Sequence, residues 1–380
     1  MEAHDLSVRK RLAFWLLLIM LTLAVCEAIT RVAVGPPGYV RLNQKEDPLY
    51  MPDPTRGYTL RPGSHSHYLT PEIDVSIDIS SDGLRDTPLA DARRSQYRVL
   101  AVGDSFTMGL GVAQEDTWCE RLEHLLQTQD TTRTASVVNA GVPGYSPRQI
   151  RFRLEELFPV VEPHLVIVGL VAETFVRMAR PNQLYGGTLI RSDGISQFRS
   201  IANRLIYSPF ESPWVRGLDF WLNEHFQFGA RVIRHSHALY EIARHRLRGR
   251  PGDSRVNLDP SHVRDEMRST FDELHVAKEL VERNGVRFLV LLINLQEPDG
   301  SFGERQLVYN AMLADHCRRE GIVCVDPLPE LRRRASGRPI YRTLHDQHWT
   351  PAAHAVAAQM LFHAMNDAGA MRRPSVVVNQ

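Results

Sequence analysis

Short apolar runs alternate with amphipathic stretches over most of the chain after residue 97. Unbroken apolar runs predict buried strands, and apolar residues at helical spacing predict helices packed on a core. The predicted strands lie near residues 99–102, 137–144 (ending in a Gly/Pro loop), 165–171, 286–293 and 322–326, and the predicted helices near 117–127, 148–158, 263–284, 304–320 and 351–366. This order predicts an α/β fold, a doubly wound parallel sheet of about five strands with helices on both faces.

The N-terminus carries the longest apolar segment. Residues 12–26 are uncharged and mostly apolar, and the segment up to residue 34 is long enough to cross a bilayer. Basic residues at positions 9–11 precede it, which predicts a cytoplasmic tail at 1–11 and export of the rest of the chain. We therefore expect a single-pass anchor at 12–34 in the inner (cytoplasmic) membrane, with the remainder periplasmic. A cleaved signal peptide and a buried soluble helix are the alternatives.

Residues 35–96 are rich in Pro, Gly, Asp and Ser, which separate short extended pieces by turns. Within this segment, residues 73–79 alternate apolar and polar side chains and predict a half-buried strand, closed by a turn at 81–83. We interpret the segment as a small β-rich juxtamembrane module. A simple spacer between the membrane and the main domain is the alternative.

The main domain is predicted over residues 97–380, and residues 177–259 interrupt its strand-helix alternation as an insertion. Aromatic residues and then basic residues are frequent in this insertion. We expect it to form a helical cap over a cleft, with Trp214, Phe220 and Trp221 facing an acyl chain or a sugar. Alternatively, these aromatic side chains only pack the insertion onto the sheet.

Charge and cysteine usage exclude several classes of function. Lys and Arg number 45 against 44 Asp and Glu, and the chain contains no basic tract interleaved with aromatic residues, so nucleic acid is not an expected partner. The four cysteines form no CxxC pair and no zinc-type spacing with histidine. The sequence as a whole implies neither a metal nor a cofactor. The sequence leaves the oligomeric state open.

Gly103-Asp104-Ser105 follows the first predicted strand of the main domain. A serine at a strand-to-helix switch lies at the carboxyl edge of the sheet, where open α/β folds bind ligands. Backbone N–H groups in such a turn are suited to stabilising an oxyanion. The alternative is an ordinary turn, because these three residue types are common in turns.

A second polar group, Asp346-Gln347-His348, precedes the last predicted helix, with Thr350 as its expected N-cap. A serine nucleophile needs a histidine base, and that histidine needs an acid to fix its tautomer and stabilise its charge. This loop supplies both. A capping loop without chemistry is the alternative, and the neighbouring His345 and His354 are weaker candidates that we expect to be surface or packing groups.

Three blocks together resemble the SGNH/GDSL hydrolase family. They are Gly103-Asp104-Ser105, Asn139-Ala140-Gly141 and Asp346-Gln347-His348, and the resemblance covers residues 97–366 apart from the insertion. It is greatest to bacterial, membrane-anchored members that have a β-rich segment before the Gly-Asp-Ser strand.

The resemblance implies a role for each matching residue. Ser105 would be the nucleophile, His348 the general base and then acid, and Asp346 the residue that orients His348. The backbone N–H groups of Ser105 and Gly141 would form the oxyanion hole. Three further residues are expected to line the site: Asp104, Asn139 and Glu173.

Two departures from the family pattern affect the expected chemistry. Glu173 stands in the third block, where the family has an Asn that donates to the oxyanion, and an ionised carboxylate there would repel that charge. The Asp-x-His spacing is also shorter than the family's common Asp-x-x-His and is similar to that of polysaccharide O-acetylation proteins.

These observations predict a membrane-anchored serine esterase that acts on O-acyl or O-acetyl bonds of a small molecule or a glycan. Transfer of the acyl group to an envelope or extracellular polysaccharide is one alternative, because both reactions share an acyl-enzyme step. A non-catalytic envelope protein that keeps the fold to bind a glycan or a partner is the other.

Overall fold

The computed structural model describes residues 8–34, 49–69, 73–129, 134–175, 258–296, 301–335 and 346–367, together with Arg177, 182–185, 188–191 and single positions between 226 and 239. The chain divides into two compact units. One comprises Met1–Tyr39 and Ser200–Tyr240, and the other comprises Val40–Arg199 and Glu241–Gln380.

The first unit contains one long helix, α1 (Val8–Val34). Its segment Lys10–Val32 has a mean hydropathy of 2.4 and is long and apolar enough to cross a membrane, a test that a signal sequence also passes. Near its end, Arg31 Nε lies 2.7 Å from Glu27 Oε1. The structure therefore supports an N-terminal apolar helix, which is either a membrane span or a signal sequence.

The second unit holds all the described strands. They are β1 (Tyr50–Asp53), β2 (Gly57–Leu60), β3 (His65–Leu69), β4 (Asp74–Asp78), β5 (Tyr97–Gly103), β6 (Ala135–Asn139), β7 (Leu165–Val171), β8 (Asn182–Tyr185), β9 (Thr188–Arg191), β10 (Arg287–Ile293) and β11 (Val323–Val325). Its helices are α2 (Leu89–Ala92), α3 (Ser105–Met108), α4 (Trp118–Gln129), α5 (Pro147–Val161), α6 (Pro260–Arg283), α7 (Glu304–Arg319), α8 (Leu328–Ala335) and α9 (Pro351–Asp367). The elements predicted from apolar periodicity are confirmed, within a few residues at their ends.

Five strands form one parallel sheet in the order β11-β10-β7-β5-β6, which confirms the predicted doubly wound α/β fold. In the sheet, β6 lies on one side of β5, and β7, the next of these strands along the chain, lies on the other side. The order therefore reverses between β5 and β7, and at such a switch point the carboxyl ends of the strands open a crevice where α/β folds bind ligands.

Each face of the sheet has its own apolar core because successive side chains of a strand point to opposite sides. Leu100 and Val102 join the core that includes α5, α6 and α7. Val99 and Ala101 join the core that includes α4, α8 and α9. Both faces are covered, which explains why these strands lack polar alternation.

The N-terminal β segment shares the first of these cores. Leu49, Tyr58, Ile77 and Leu84 are buried in the same cluster as Leu100 and its neighbours. The boundary that we predicted at residue 97 therefore marks a change in sequence pattern and does not separate two cores. Residues 73–79 do contain the expected strand, β4, which pairs antiparallel with β3.

The outer edge of β6 is protected by carboxylates, since β5 is the one described strand with which β6 pairs. Glu123 Oε2 accepts a hydrogen bond from Val137 N at 2.8 Å, and Asp86 Oδ2 accepts one from Asn139 N at 2.6 Å. Burial raises the pKa of Asp86 to about 7, against the effect of its hydrogen bonds. Side chains that occupy edge N–H groups prevent this strand from pairing with another chain.

One buried histidine makes the stability of this unit dependent on pH. His354 is fully buried, and its Nδ1 accepts a hydrogen bond from Trp118 N at 3.1 Å. Burial, followed by the charges of Arg85, His348 and Arg121, lowers the pKa of His354 to about 3. The unfolded chain therefore binds a proton at this position between about pH 6.5 and pH 3, whereas the folded chain does not.

We expect the contribution of His354 to the stability of this unit to fall as the pH falls. The contribution of His354 is fully present above about pH 6.5, and about 1.5 kcal/mol of it is lost between about pH 6.5 and pH 5. His354→Asn should be less stable than the wild type at neutral pH and should lose less stability over that interval. Urea unfolding of the full chain in detergent at both pH values measures the difference. Equal losses in the two proteins would contradict the assignment.

Candidate active site

The candidate site begins where β5 ends at the switch point. Asp104 caps the short helix α3, and Ser105 is its first residue. A Cβ on Gly103 would lie 2.0 Å from Thr107 Oγ1 and 2.7 Å from the Gly169 carbonyl oxygen, so no larger residue fits at the end of this strand. The tight turn places Ser105 at the carboxyl edge of the sheet, as its sequence position predicts.

The structure brings Ser105 together with the loop that precedes α9. His348 Nε2 lies 2.8 Å from Ser105 Oγ. His348 Nδ1 lies 2.6 Å from Asp346 Oδ1, which also accepts the His348 backbone N–H at 2.7 Å. The three predicted side chains thus form one hydrogen-bonded chain from carboxylate to imidazole to hydroxyl, and their catalytic roles stay predictions.

Asp346 is held as a carboxylate in a buried position. Burial by itself raises the pKa of Asp346, but the charge of His348 and hydrogen bonds from His348 and Tyr68 outweigh it, and the pKa falls to about 2. Tyr68, from strand β3, donates its phenol hydrogen to Asp346 Oδ2. Asp346 is therefore ionised at neutral pH and able to stabilise a positive charge on His348.

Aromatic packing fixes the loop that carries His348. The ring of Phe106 lies 5.0 Å from the His348 ring and meets the Trp349 ring edge to face at 5.7 Å. Buried Trp349 donates its Nε1–H to the Asn294 carbonyl oxygen at 3.1 Å. Asn294 follows β10 and donates through Nδ2 to Asp326 Oδ1 at 2.9 Å. The loop is thus attached to the ends of two further strands of the sheet.

Asp104 acts inside the turn and does not line an open site. Its Oδ1 accepts the Phe106 backbone N–H at 3.1 Å. Its Oδ2 accepts Arg177 Nη1 at 3.0 Å, and the same Nη1 donates to the Tyr145 carbonyl oxygen at 3.1 Å. The Asp104 side chain is only 1% exposed, so its charge depends on this pairing.

Gly141 and Asn139 pack against Met108 at the end of α3. The Gly141 N–H donates to Asn139 Oδ1 at 3.2 Å, and a Cβ on Gly141 would lie 2.2 Å from Met108 N. Asn139 Nδ2 donates to the Met108 carbonyl oxygen at 3.3 Å. The Gly141 N–H thus has a partner in Asn139 Oδ1, and the oxyanion role that the resemblance implies for it stays a prediction. Among the described residues, the N–H of Ser105 shows no hydrogen-bond partner.

Glu173 forms an ion pair with a residue of a neighbouring helix. It lies just after β7, and its Oε1 is 2.9 Å from Nε of Arg305 on α7. The negative charge that we expected to oppose an oxyanion is thus paired with a guanidinium group.

Other predicted residues have different outcomes. His354 is a packing group, as expected, whereas His345 and the predicted cap residues Trp214, Phe220 and Trp221 lie outside the described residues. Within the part of the chain that the structure describes, no cluster of three or more His, Cys, Asp or Glu side chains is arranged to hold a metal ion.

Three residues of the site were missed by the sequence reasoning: Tyr68, Arg177 and Asn294. Each lies far along the chain from the groups it contacts, and none belongs to a recognisable motif. The only signal for Tyr68 is its place beside the predicted strand at 73–79, and the signal for Arg177 is its place at the start of the insertion.

Comparisons with known proteins identify similar solved structures. No model of a known protein family matches the chain, and no curated protein matches it. Similar structures include the acetylxylan esterase Axe2 of Geobacillus stearothermophilus, with 14% identity over 71% of this chain and 94% of that protein and a TM-score of 0.40. A lipolytic G-D-S-L family protein of Veillonella parvula has 12% identity over 71% and 98%, with a TM-score of 0.38.

A third similar structure is the psychrotrophic esterase EstA of a Pseudoalteromonas species. It has 11% identity over 72% of this chain and 98% of that protein, with a TM-score of 0.39. At these identities and TM-scores, the similarities support no argument about the chemistry of this chain.

The pairing of Asp104 with Arg177 leads to a test of stability. Arg177→Met leaves a buried carboxylate without its cation, so the free energy of unfolding should fall by about 1–3 kcal/mol. Adding Asp104→Asn keeps the acceptor for Phe106 N–H but removes the charge, so the double variant should recover part of the loss. Urea unfolding of the two single variants and the double variant measures the coupling, and strictly additive losses would show that the pair does not interact.

Proposed function

We propose that the chain is a serine esterase of the SGNH/GDSL type, which acts on O-acyl or O-acetyl esters of a small molecule or a glycan. The observation that supports this proposal is the hydrogen-bonded chain from Asp346 through His348 to Ser105 at the switch point of the sheet. A serine hydroxyl hydrogen-bonded to an imidazole, which a carboxylate in turn orients, is the arrangement that nucleophilic acyl transfer requires.

In the first half of the reaction, Ser105 Oγ attacks the ester carbonyl carbon while His348 Nε2 takes the hydroxyl proton. The carbonyl π electrons move to the oxygen, and the Ser105 N–H is the group that we assign to stabilise the resulting oxyanion. When the tetrahedral intermediate collapses, the ester C–O bond breaks and His348 gives its proton to the departing alkoxide. The acyl group is then bound to Ser105 and an alcohol is released.

In the second half, water attacks the acyl-enzyme while His348 takes a proton from it. Collapse of this intermediate breaks the bond to Ser105 Oγ, which regains a proton from His348, and a carboxylic acid leaves. Asp346 holds the Nδ1–H tautomer throughout and stabilises the imidazolium ion that forms in both halves.

Transfer of the acyl group to a sugar hydroxyl is the second candidate function. It uses the same acyl-enzyme, with the sugar oxygen in place of water. The observation that favours it is the short Asp346-Gln347-His348 spacing, which resembles that of polysaccharide O-acetylation proteins. Comparing hydrolysis with acetyl transfer to added oligosaccharide, using one acetyl ester donor, distinguishes the two functions.

The proposed location is the periplasmic side of the inner membrane, with α1 as the anchor. Basic residues precede the apolar segment, which favours a cytoplasmic N-terminus. A periplasmic reporter fused after about residue 45 should therefore be active, and a reporter that works only in the cytoplasm should be inactive at the same junction. The opposite pattern would contradict this orientation, and the mass of the membrane-bound protein shows whether the segment is cleaved.

The catalytic proposal is tested by labelling with a fluorophosphonate, which reacts with activated serines. Ser105→Ala should abolish labelling and ester hydrolysis because it removes the attacking oxygen, whereas Asp346→Asn should slow labelling without removing the reactive hydroxyl. Ser136→Ala is a matched control, since Ser136 is a buried serine that donates to the Ala92 carbonyl oxygen. Labelling that survives Ser105→Ala would overturn the proposal and favour the non-catalytic binding protein.

A further inference from the structure

Asp346 divides its two carboxylate oxygens between two different segments of the chain. Its Oδ1 accepts both hydrogen bonds from His348, one from Nδ1 and one from the backbone N–H. Its Oδ2 accepts the phenol hydrogen of Tyr68. The carboxyl side chain is only 3% exposed, so Tyr68 takes the place that water would have at an exposed carboxylate.

The position of Tyr68 is determined by the β3–β4 hairpin. Tyr68 pairs with Val75 in this hairpin, and its ring packs against the core that α5 and α6 share with the sheet. A Cβ on Gly111 would lie 3.9 Å from Tyr68 Cε1 and 3.8 Å from His348 Cβ, so the two side chains converge on the same loop. The hairpin is therefore in direct contact with the candidate site.

We propose that Tyr68 is a positioning residue for the reaction, which acts through Asp346 on the orientation and basicity of His348. This inference rests on the proposed function, because it concerns the histidine that activates Ser105. The N-terminal β segment thereby takes part in the chemistry, since its Tyr68 holds Asp346 Oδ2.

Two physical effects follow from the hydrogen bond. A carboxylate held at both oxygens cannot rotate about its Cβ–Cγ bond, so Oδ1 stays directed at His348 Nδ1. The phenol also neutralises part of the carboxylate charge, which is one of the reasons that the pKa of Asp346 is low. Without the phenol, the full charge of Asp346 acts on His348 and stabilises the imidazolium ion more strongly.

In the described part of the chain, polar groups from three elements lie near His348. Asp346 faces it from its own loop, Ser105 from α3 and Tyr68 from β3, through Asp346. His354 of α9 also interacts electrostatically with His348, and its pKa of about 3 keeps it uncharged near neutral pH. A shift in the pH profile on changing Tyr68 therefore reports on the Tyr68–Asp346 bond.

The test is Tyr68→Phe in the full chain in detergent, which removes one oxygen and keeps the ring. We measure p-nitrophenyl acetate hydrolysis and the rate of fluorophosphonate labelling across the acid limb of the pH profile. We expect kcat and the labelling rate to fall about tenfold with KM nearly unchanged, because the bond acts on the reacting groups and not on substrate binding. The acid limb should move to higher pH.

Tyr58→Phe is the matched control. Tyr58 is also buried, and its hydroxyl donates to the Pro143 carbonyl oxygen at 2.9 Å, away from Asp346. It should lose stability without moving the acid limb. In an Asp346→Asn background, Tyr68→Phe should have almost no further effect on the labelling rate, because the carboxylate through which it acts is gone.

The outcomes separate this inference from the proposed function. If Ser105 is labelled and the acid limb of Tyr68→Phe stays where the wild type has it, Tyr68 has a structural role only and the inference is wrong. Additive effects of Tyr68→Phe and Asp346→Asn would overturn it as well. If Ser105→Ala is still labelled, the proposed function fails first. Thermal unfolding of each variant shows that the rates compared belong to folded protein.

Discussion

The close approach of α3 to the ends of β5 and β7 is the constraint on which the candidate site depends. It is possible only because the residues facing Thr107 from both strands are Gly103 and Gly169, where an added Cβ would lie within about 2 Å of Thr107 Oγ1. A short helix packed this closely on the strand ends places its first residue at the crevice between the two strands. Ser105 is in reach of His348 for this reason.

Buried charges complete the support of that helix at both ends. Asp104, held by Arg177, accepts the Phe106 N–H at the start of α3. At the other end, the buried guanidinium of Arg85 donates to the carbonyl oxygens of Met108, Gly109 and Val112. Burial, partly offset by nearby carboxylates, lowers the pKa of Arg85 to about 10, so it stays charged at neutral pH. Acidic groups at the N-terminus and basic groups at the C-terminus are the arrangement that a helix dipole favours.

The N-terminal β segment contributes to this arrangement more than its sequence indicates. Arg85, which caps α3, lies in it, and so does Tyr68, which contacts Asp346. Leu49, Tyr58 and Ile77 bury the segment in the core beneath the sheet. The segment is therefore part of the folded unit that carries the site, and removing it would expose that core and leave the carbonyl groups at the C-terminal end of α3 without Arg85.

The sequence by itself determined the sheet, the helices and the three side chains of the hydrogen-bonded chain. Apolar periodicity is a local property, and Ser105 and His348 lie beside elements whose ends meet at one edge of a parallel sheet. The sequence did not determine how the supporting polar groups are paired. Gly141 donates to Asn139 and Glu173 pairs with Arg305 because neighbouring elements bring those partners within reach. The contact between Tyr68 and Asp346 joins residues separated by most of the chain, and only packing of the hairpin against the sheet brings them together.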